Sequence, residues 1–362
     1  MKEVPLVPIP RRALVVFLSL SAALLVTLVL SLGTGAVPLS PGAVLSAIAR
    51  GLLGGDTSGD VAAQVVWSAR LPRILMAAVA GAGLAFAGAV LQALVRNSLA
   101  DPYLLGLNSG ASAGVAIIVL VVGSGTALAV SGAALVGAVL TVALVLALAG
   151  AGRARGPHRI VLAGLAVGYA LSAVTSLLLF LSDSPEAARS VMFWLLGSLA
   201  AVQPTMIVAV AIAVALGLAG LVLISGRIDA LASGDDSAIA AGLDPKRSRF
   251  AILAGTSAVV GVIVAGVGGV GFIGLVVPHL GRALVGARHR RLLPASALIG
   301  AILLVAADTG ARTLLAPHEI PVGVITGVIG APVLLTLLAR GGNDRPRSAA
   351  TSRPRSPAER PA

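Results

Sequence analysis

About ten long apolar runs, each nearly free of charge, leave this 362-residue chain few ways to fold. They lie near 13–33, 71–95, 103–122, 127–150, 160–181, 204–224, 250–268, 272–286, 293–314 and 321–339. A helix of roughly 17–25 residues crosses a bilayer core. In that medium it satisfies every backbone polar group within itself. Charged residues make up 11% of the chain, where a soluble domain carries about 25%. The runs therefore predict an all-α polytopic membrane protein with about ten transmembrane helices. The 44 glycines suit close packing of such helices.

Arg11 and Arg12 precede the first run, as they would in a secretory leader. The run is about 20 residues, longer than a leader's apolar core and long enough to span, so it predicts the first transmembrane helix. Loop charge sets the orientation. With the N-terminus inside, 21 of the 26 basic residues fall on the inner side. The exceptions are Arg50, Arg70, Arg73, Arg189 and Arg312. Such asymmetry predicts both termini cytoplasmic. The organisation expected is a cytoplasmic N-terminal segment at 1–12, a transmembrane domain at 13–340, and a disordered basic tail at 341–362.

Several stretches do not span. "PGAVLSAIARGLLGG", opened by Pro41, predicts a short surface helix in the first outer loop. "SPEAARSVMFWLLGSLA" predicts a second outer helix. Runs two to five and seven to ten have similar lengths and start on opposite sides. This pattern suits an inverted repeat.

Zero cysteines remove disulfides, thiolate catalysis and cysteine metal sites. No phosphate-binding Gly-x-x-x-x-Gly-Lys-Ser/Thr occurs, and the only lysines are Lys2 and Lys246. No cluster of histidines and carboxylates predicts a metal or cofactor. The net charge of +12 follows from cytoplasmic loops rather than nucleic-acid binding. Carboxylates for a proton relay are missing from the runs. Asp308 is an exception, and Arg312 one turn later predicts an internal ion pair.

"RNSLADPYLLGLNSGASAG" interrupts the second and third runs. Asn97 and Asp101 suit turn and N-cap positions, and Pro102 suits a first helical position, so a tight inner-surface connection is expected. Gly106, Gly110 and Gly114, spaced by four, predict close approach of another helix. In the inner loop, Asp235 and Asp236 suit a helix N-terminus and Gly242 its stop. Pro278 predicts a kink in the eighth helix.

Five segments, in order, carry a resemblance: "RLPR" (Arg70–Arg73), "GAGLAFAGAVLQALVRNSLADPYLLGLNSGASAG", "GVGGVGFIGLVVPHLGRALVG", "LLPASALIGAILLVAADTGAR" and "EIPVGVITGVIGAPVLLTLLAR". Together they resemble the FecCD family of ABC-transporter permeases, which imports iron-siderophores, haem and vitamin B12. The resemblance covers nearly all of 13–340. One departure stands out: Ser98 replaces the proline of the family's usual Asn-Pro-Leu-Ala elbow.

The resemblance implies a type II importer permease fold in the bacterial cell (inner) membrane. It implies a dimer with a second copy or a homologous permease, surrounded by membrane lipid. Two cytoplasmic ATPase subunits and an extracytoplasmic substrate-binding protein are the further partners. The path is expected along the dimer axis, between the fifth and tenth helices. Arg70, Arg73 and Arg312 are carried over as docking residues for the binding protein, with interfacial snorkelling as the rival reading. Asn97, Ser98 and Leu99 are carried over as an inner gate. Asp235, Asp236, Ala240, Gly242 and Leu243 are carried over as the ATPase-coupling loop. Pro278, His279 and Arg282 match a family pattern of undefined role.

The expected function is thus import of a ferric siderophore, with haem or a corrinoid as alternative cargo. An ion-gradient-driven secondary transporter is the rival mechanism. The expected chain is a transport subunit, not an enzyme.

Overall fold

The computed structural model describes residues 11–35, 38–53, 60–150, 158–200 and 202–341. The first ten residues, residues 151–157 of an inner loop and the tail after 341 lie outside them, so neither terminal expectation is addressed. Helix α1 (Arg11–Gly33) is the first apolar run. The surface helix α2 (Pro41–Leu52) follows, its N-terminus capped by Ser40 Oγ, which accepts from the Ala43 N–H. Trp67 Nε1 donates to the Ala47 carbonyl at 2.9 Å and pins α2 to the next element.

That element starts earlier than the sequence suggests. Helix α3 (Val61–Gln64), capped by Asp60, runs through a π-helical turn (Val65–Arg70) into α4 (Leu71–Val95). Pro72 lies just past the π-helical turn, where the change in hydrogen-bond register accommodates a residue without an N–H. The third run is also resolved more finely. A 3₁₀ turn (Pro102–Leu105) precedes α5 (Leu107–Ala116), which ends in a second π turn (Ile117–Val121).

Helices α6 (Ala127–Gly150), α7 (His158–Phe180), α8 (Pro185–Leu195) and α9 (Pro204–Leu223) follow. The inner loop folds as α10 (Ser225–Ser233) and α11 (Asp235–Ala240). Then come α12 (Pro245–Val267), α13 (Ile273–Val285), α14 (His289–Thr313) and α15 (Val322–Gly341). Seven helical stretches are long and apolar enough to span, and three shorter apolar ones (Leu107–Val121, Ile273–Val285, Val322–Thr336) complete the expected ten. Among the described residues no strand occurs.

Helix α4 is the axis of the fold, buried along most of its length against α9, α12, α13 and α14. Glycine permits this density. A Cβ on Gly88 would lie 1.9 Å from the Gly274 carbonyl oxygen, so α4 and α13 touch backbone to backbone. Gly110 and Gly114 do the same against α6, where a Cβ on Gly110 would lie 2.6 Å from the Gly137 carbonyl oxygen, while Gly106 faces the α7 backbone at Gly164.

The neighbour relations repeat between two halves of the chain, as the expected inverted repeat requires. Helices α4–α7 and α12–α15 correspond in order. The pair α5–α6 matches α13–α14, α5–α7 matches α13–α15, and α6–α7 matches α14–α15. Across the halves, α4–α14 matches α12–α6 and α4–α13 matches α12–α5. Even the entries to the short helices agree: Gly106 before α5 has φ +72° and Phe272 before α13 has φ +69°.

Candidate functional site

The elbow is not only a surface turn. Arg96 ends α4 in the left-handed conformation (φ +53°). Asn97 Oδ1 accepts from the Leu99 N–H at 2.9 Å, and the Asn97 carbonyl accepts from the Ala100 N–H at 3.1 Å. These four exposed residues, Arg96 to Leu99, form the surface part. Beyond Ala100 the chain turns inward. Pro102 packs on Gly274, whose added Cβ would also meet the Leu84 carbonyl. The same Gly274 lies against Gly88, seven residues before the end of α4, so Pro102 sits about 10 Å from the inner end of the helix.

The expected tight inner-surface connection is therefore corrected to a re-entrant segment. Irregular backbone survives at that depth only when buried in protein and hydrogen-bonded. Asp101 accepts from the Tyr103 N–H at 2.9 Å, and Tyr103 Oη accepts from the Val270 N–H at 3.0 Å. Val270 belongs to the matching connection between α12 and α13, so the two elbows of the repeat meet.

Helix α7 passes beside this elbow. A depression of about 250 Å³ between them is lined by Asp101, Tyr103, Ser109, Tyr169 and Ser172 among others. Ser172 Oγ donates to Ser109 Oγ at 3.1 Å. Both tyrosines of the chain are here. Sequence reasoning missed this patch; the signal available was that polar residues cluster on one side of an otherwise apolar run. Further along, α7 and α15 expose apolar side chains such as Leu165, Leu177, Val328 and Ile329.

The outer arginines are brought together, but as deeply held groups. Arg73 Nε donates to Asp308 Oδ1 at 2.8 Å, and Arg73 Nη1 reaches Glu319 Oε2 at 2.8 Å. Arg312 Nε pairs with Asp308 Oδ2 at 3.1 Å, the one-turn ion pair expected from sequence. Its Nη2 also donates to Ser31 Oγ at 2.8 Å. Arg70 Nη1 donates to the Leu32 carbonyl at 2.6 Å. Asp308 is 0% exposed, and the three arginines only 6–8%. Two arginines, Asp308 and Glu319 balance to zero charge, and the group stitches α1, α4 and α14 together. What remains open to the outside is a depression of about 380 Å³ lined by Arg70, Arg73, Arg312, Ser68 and Glu319 among others.

The inner loop is tied to the elbow through one carboxylate. Asp235, first residue of α11, receives Arg249 Nη2 at 2.8 Å and a close hydrogen bond from Arg96. Arg249 Nε donates to the Leu94 carbonyl at 3.1 Å, satisfying an end group of α4. The hydrogen bond from Arg249, aided by the charge of Arg96, holds the Asp235 carboxyl below the usual carboxylate range. Asp236 shares the first turn of α11, Ala240 is its last residue, and Gly242 closes it at φ +76°. Leu243 N–H returns to the Ala238 carbonyl at 3.0 Å.

The helix-eight pattern has a structural reading. Pro278 has no N–H for the Gly274 carbonyl four residues back. Gln92 Nε2 replaces it weakly at 3.4 Å and donates to the Leu275 carbonyl at 3.1 Å. Arg282 Nη2 then donates to Gln92 Oε1 at 2.6 Å, and His279 Nδ1 lies 3.1 Å from the Leu275 carbonyl. Gln92 is a residue the sequence reading passed over, although it is a lone amide in an apolar run.

The family model for the FecCD transport family matches residues 23–340. The chain is 41% identical to the vitamin B12 import system permease protein of Vibrio cholerae over 280 residues, 76% of this chain and 83% of that one. It is 36% identical to the Fe(3+)-citrate import system permease protein of Bacillus subtilis, over 91% of this chain and 96% of that one. The hemin transport system permease protein of Yersinia pestis is 39% identical over 80% and 88% of the two chains. An inward-facing structure described as a metal-chelate type ABC transporter superposes with a TM-score of 0.77 at 31% identity, covering 91% of this chain and 99% of that one.

Proposed function

The chain belongs to the FecCD transport family, and from that premise we propose that it carries ferric siderophores across the cell membrane. Its coarser role follows from membership: it is a multi-pass membrane permease of an ABC importer. Such permeases work with ATPase subunits and a binding protein. An ion gradient is therefore set aside as the drive.

The cargo proposal is supported by the metal-chelate type transporter, which matches along 99% of its own length at 31% identity, and by the iron-citrate permease, matched along 96% of its length; a vitamin B12 permease of Salmonella paratyphi A is matched equally far at 38% identity. Haem and a corrinoid remain the alternatives, because relatives of similar identity carry those names.

In the proposed assembly two copies pair with their α7 and α15 faces toward a central path. Weakly polar walls pass a large chelate without trapping it. The Arg70, Arg73 and Arg312 depression receives acidic side chains of the binding protein, since complementary charge orients docking. Asn97, Ser98 and Leu99 form the inner gate. On the cytoplasmic side, Asp235 to Leu243 seat on each of two ATPases. Arg96 then links the seat to the gate, because the Asp235–Arg96 contact joins α11 to the residue preceding Asn97.

The deciding experiment is uptake by a deletion strain complemented with this chain and its partners, on ferric siderophores, haem and cobalamin. Restored growth on ferric siderophores is expected. Restoration on haem or cobalamin alone would sink the cargo assignment.

A further inference from the structure

A depression on the cytoplasmic side holds two cations, Arg282 and Arg288, that the proposed transport cycle does not use. About 470 Å³ in volume, it lies between the last turn of α4, α10 and the α13–α14 connection. Three guanidiniums line it, from Arg96, Arg282 and Arg288, against the single carboxylate of Asp229. That carboxylate is already engaged. It accepts from the His289 backbone N–H at 3.1 Å and from His289 Nδ1 at 2.6 Å.

The remaining charge is not balanced from within. Arg96 pairs with Asp235. Half-buried Arg282 has the neutral Gln92 amide as its partner, and exposed Arg288 caps nothing with its side chain. Among the described residues neither is within ion-pair distance of a carboxylate. His289 is 5% exposed, and its Nε2 has no hydrogen-bond partner among the described residues. A half-buried cation such as Arg282, facing only a neutral amide, is costly and favours an external anion.

The anion's class follows from shape and depth. Guanidiniums offer flat forks that match phosphate oxygens. His289 opens the 25-residue α14, whose first N–H is already taken by Asp229, so the arginine side chains rather than the helix end supply the site. Gln92 and Arg282 each lie three residues before the end of their helix, so the pocket begins about 5 Å inside the helix ends. Basic pockets between spans on the cytoplasmic side are suited to lipid phosphate. The volume also leaves room for the substituents of a phosphate ester.

We propose that this pocket binds a phosphate group, carried by the headgroup of an anionic inner-leaflet lipid. The occupant bridges α4, α13 and α14, and it shares a wall with Asn97 and Ser98. Anionic lipid thereby braces the inner gate.

The test uses the full chain in nanodiscs of phosphatidylglycerol or phosphatidylcholine, with bound lipid counted by native mass spectrometry. Thermal unfolding is followed in parallel. The wild-type chain is expected to retain phosphatidylglycerol selectively and to unfold at a higher temperature in it. Arg282→Gln and Arg288→Gln should each weaken retention about fivefold. Arg288→Gln is the safer variant, since Arg282 also holds Gln92. In the phosphatidylcholine arm, inorganic phosphate that stabilises wild type but not Arg288→Gln supports a soluble phosphate source for the same site. Equal behaviour of wild type and both variants in every arm overturns the proposal. Loss of ATPase binding by the variants, with no response to either phosphate probe, also overturns it and assigns the pocket to an acidic protein segment.

Discussion

Arginine serves opposite purposes at the two ends of this molecule. On the outer side Arg73 and Arg312 grip a carboxylate that no water reaches, and Asp308 belongs to a long spanning helix. On the inner side Arg96 and Arg249 grip Asp235, whose side chain is 47% exposed and belongs to a six-residue helix. The first arrangement fixes three helices to one another. The second ties a small surface element to the end of the central helix by contacts that water can compete for. The proposed transport cycle calls for both: a rigid frame on the side assigned to the binding protein and a yielding link on the side assigned to the ATPases.

The largest expected effect comes from breaking the outer arrangement. Asp308→Asn leaves two buried guanidiniums facing each other with one carboxylate removed, and the loss of a buried partner costs about 3–5 kcal/mol. The variant should give little folded protein in detergent, seen as loss of the monodisperse peak and of the thermal transition. If Asp308→Asn unfolds at the wild-type temperature, the outer group is not the frame.

Asp235→Asn tests the other side. The exposed Arg96–Asp235 pair contributes about 0–1 kcal/mol, and buried Arg249 keeps the Leu94 carbonyl as an acceptor beside a neutral amide, so folding should survive. Transport in proteoliposomes should drop about tenfold, roughly 1.4 kcal/mol of lost coupling, while ATP hydrolysis continues. Acid should mimic the substitution. Because the Asp235 pKa is lowered, its contribution is present above the unfolded carboxylate range and is lost as pH falls through the folded value. Coupling should thus be flat from neutral pH down to about 4 and fail below it. Normal coupling by Asp235→Asn would remove the inner half of the comparison.

How much of this was legible in the sequence depends on distance along the chain. The ten spans are written in uninterrupted apolar runs and in one-sided loop charge, which local composition carries. The Asp308–Arg312 pair was legible because four residues make one turn. Arg73 meets Asp308 across 235 positions, and no local pattern announces that. For the same reason the burial of Arg70 was hidden: "SARLPR" reads equally well as a snorkelling segment. The re-entrant elbow was hidden for another reason. Asp101 and Pro102 suit a surface turn as well as a buried one, and only Gly274, in the other half of the repeat, makes room for them.

A smaller effect separates docking from framing on the outer side. Arg70 contacts the Leu32 carbonyl and lines the outer depression without gripping Asp308. Arg70→Gln, which keeps a donor for the Leu32 carbonyl at this 6% exposed position, should weaken binding-protein affinity several-fold, more at low salt, because charge complementarity acts mainly on encounter. Surface plasmon resonance against the reconstituted importer reads this directly. Unchanged affinity at low salt would leave the outer arginines with the framing role alone.

The smallest effect is expected at Ser98, where the family's usual elbow has proline. The turn spans Asn97 to Ala100, and Ser98 is its second residue, a position that favours proline. Its own N–H makes no hydrogen bond among the described residues, while Asn97 supplies both the side-chain and the backbone acceptor that hold the turn. Serine therefore keeps the same geometry without the ring. Ser98→Pro should raise stability by about 0.4–1 kcal/mol through the unfolded chain and leave transport rates unchanged. Asn97→Ala should do more harm than Ser98→Pro does good, because it removes the acceptor for the Leu99 N–H beside the link from Arg96 to Asp235. A Ser98→Pro variant that transports poorly while Asn97→Ala transports normally would show that the inner side, like the outer, is held by a fixed backbone rather than by a yielding one.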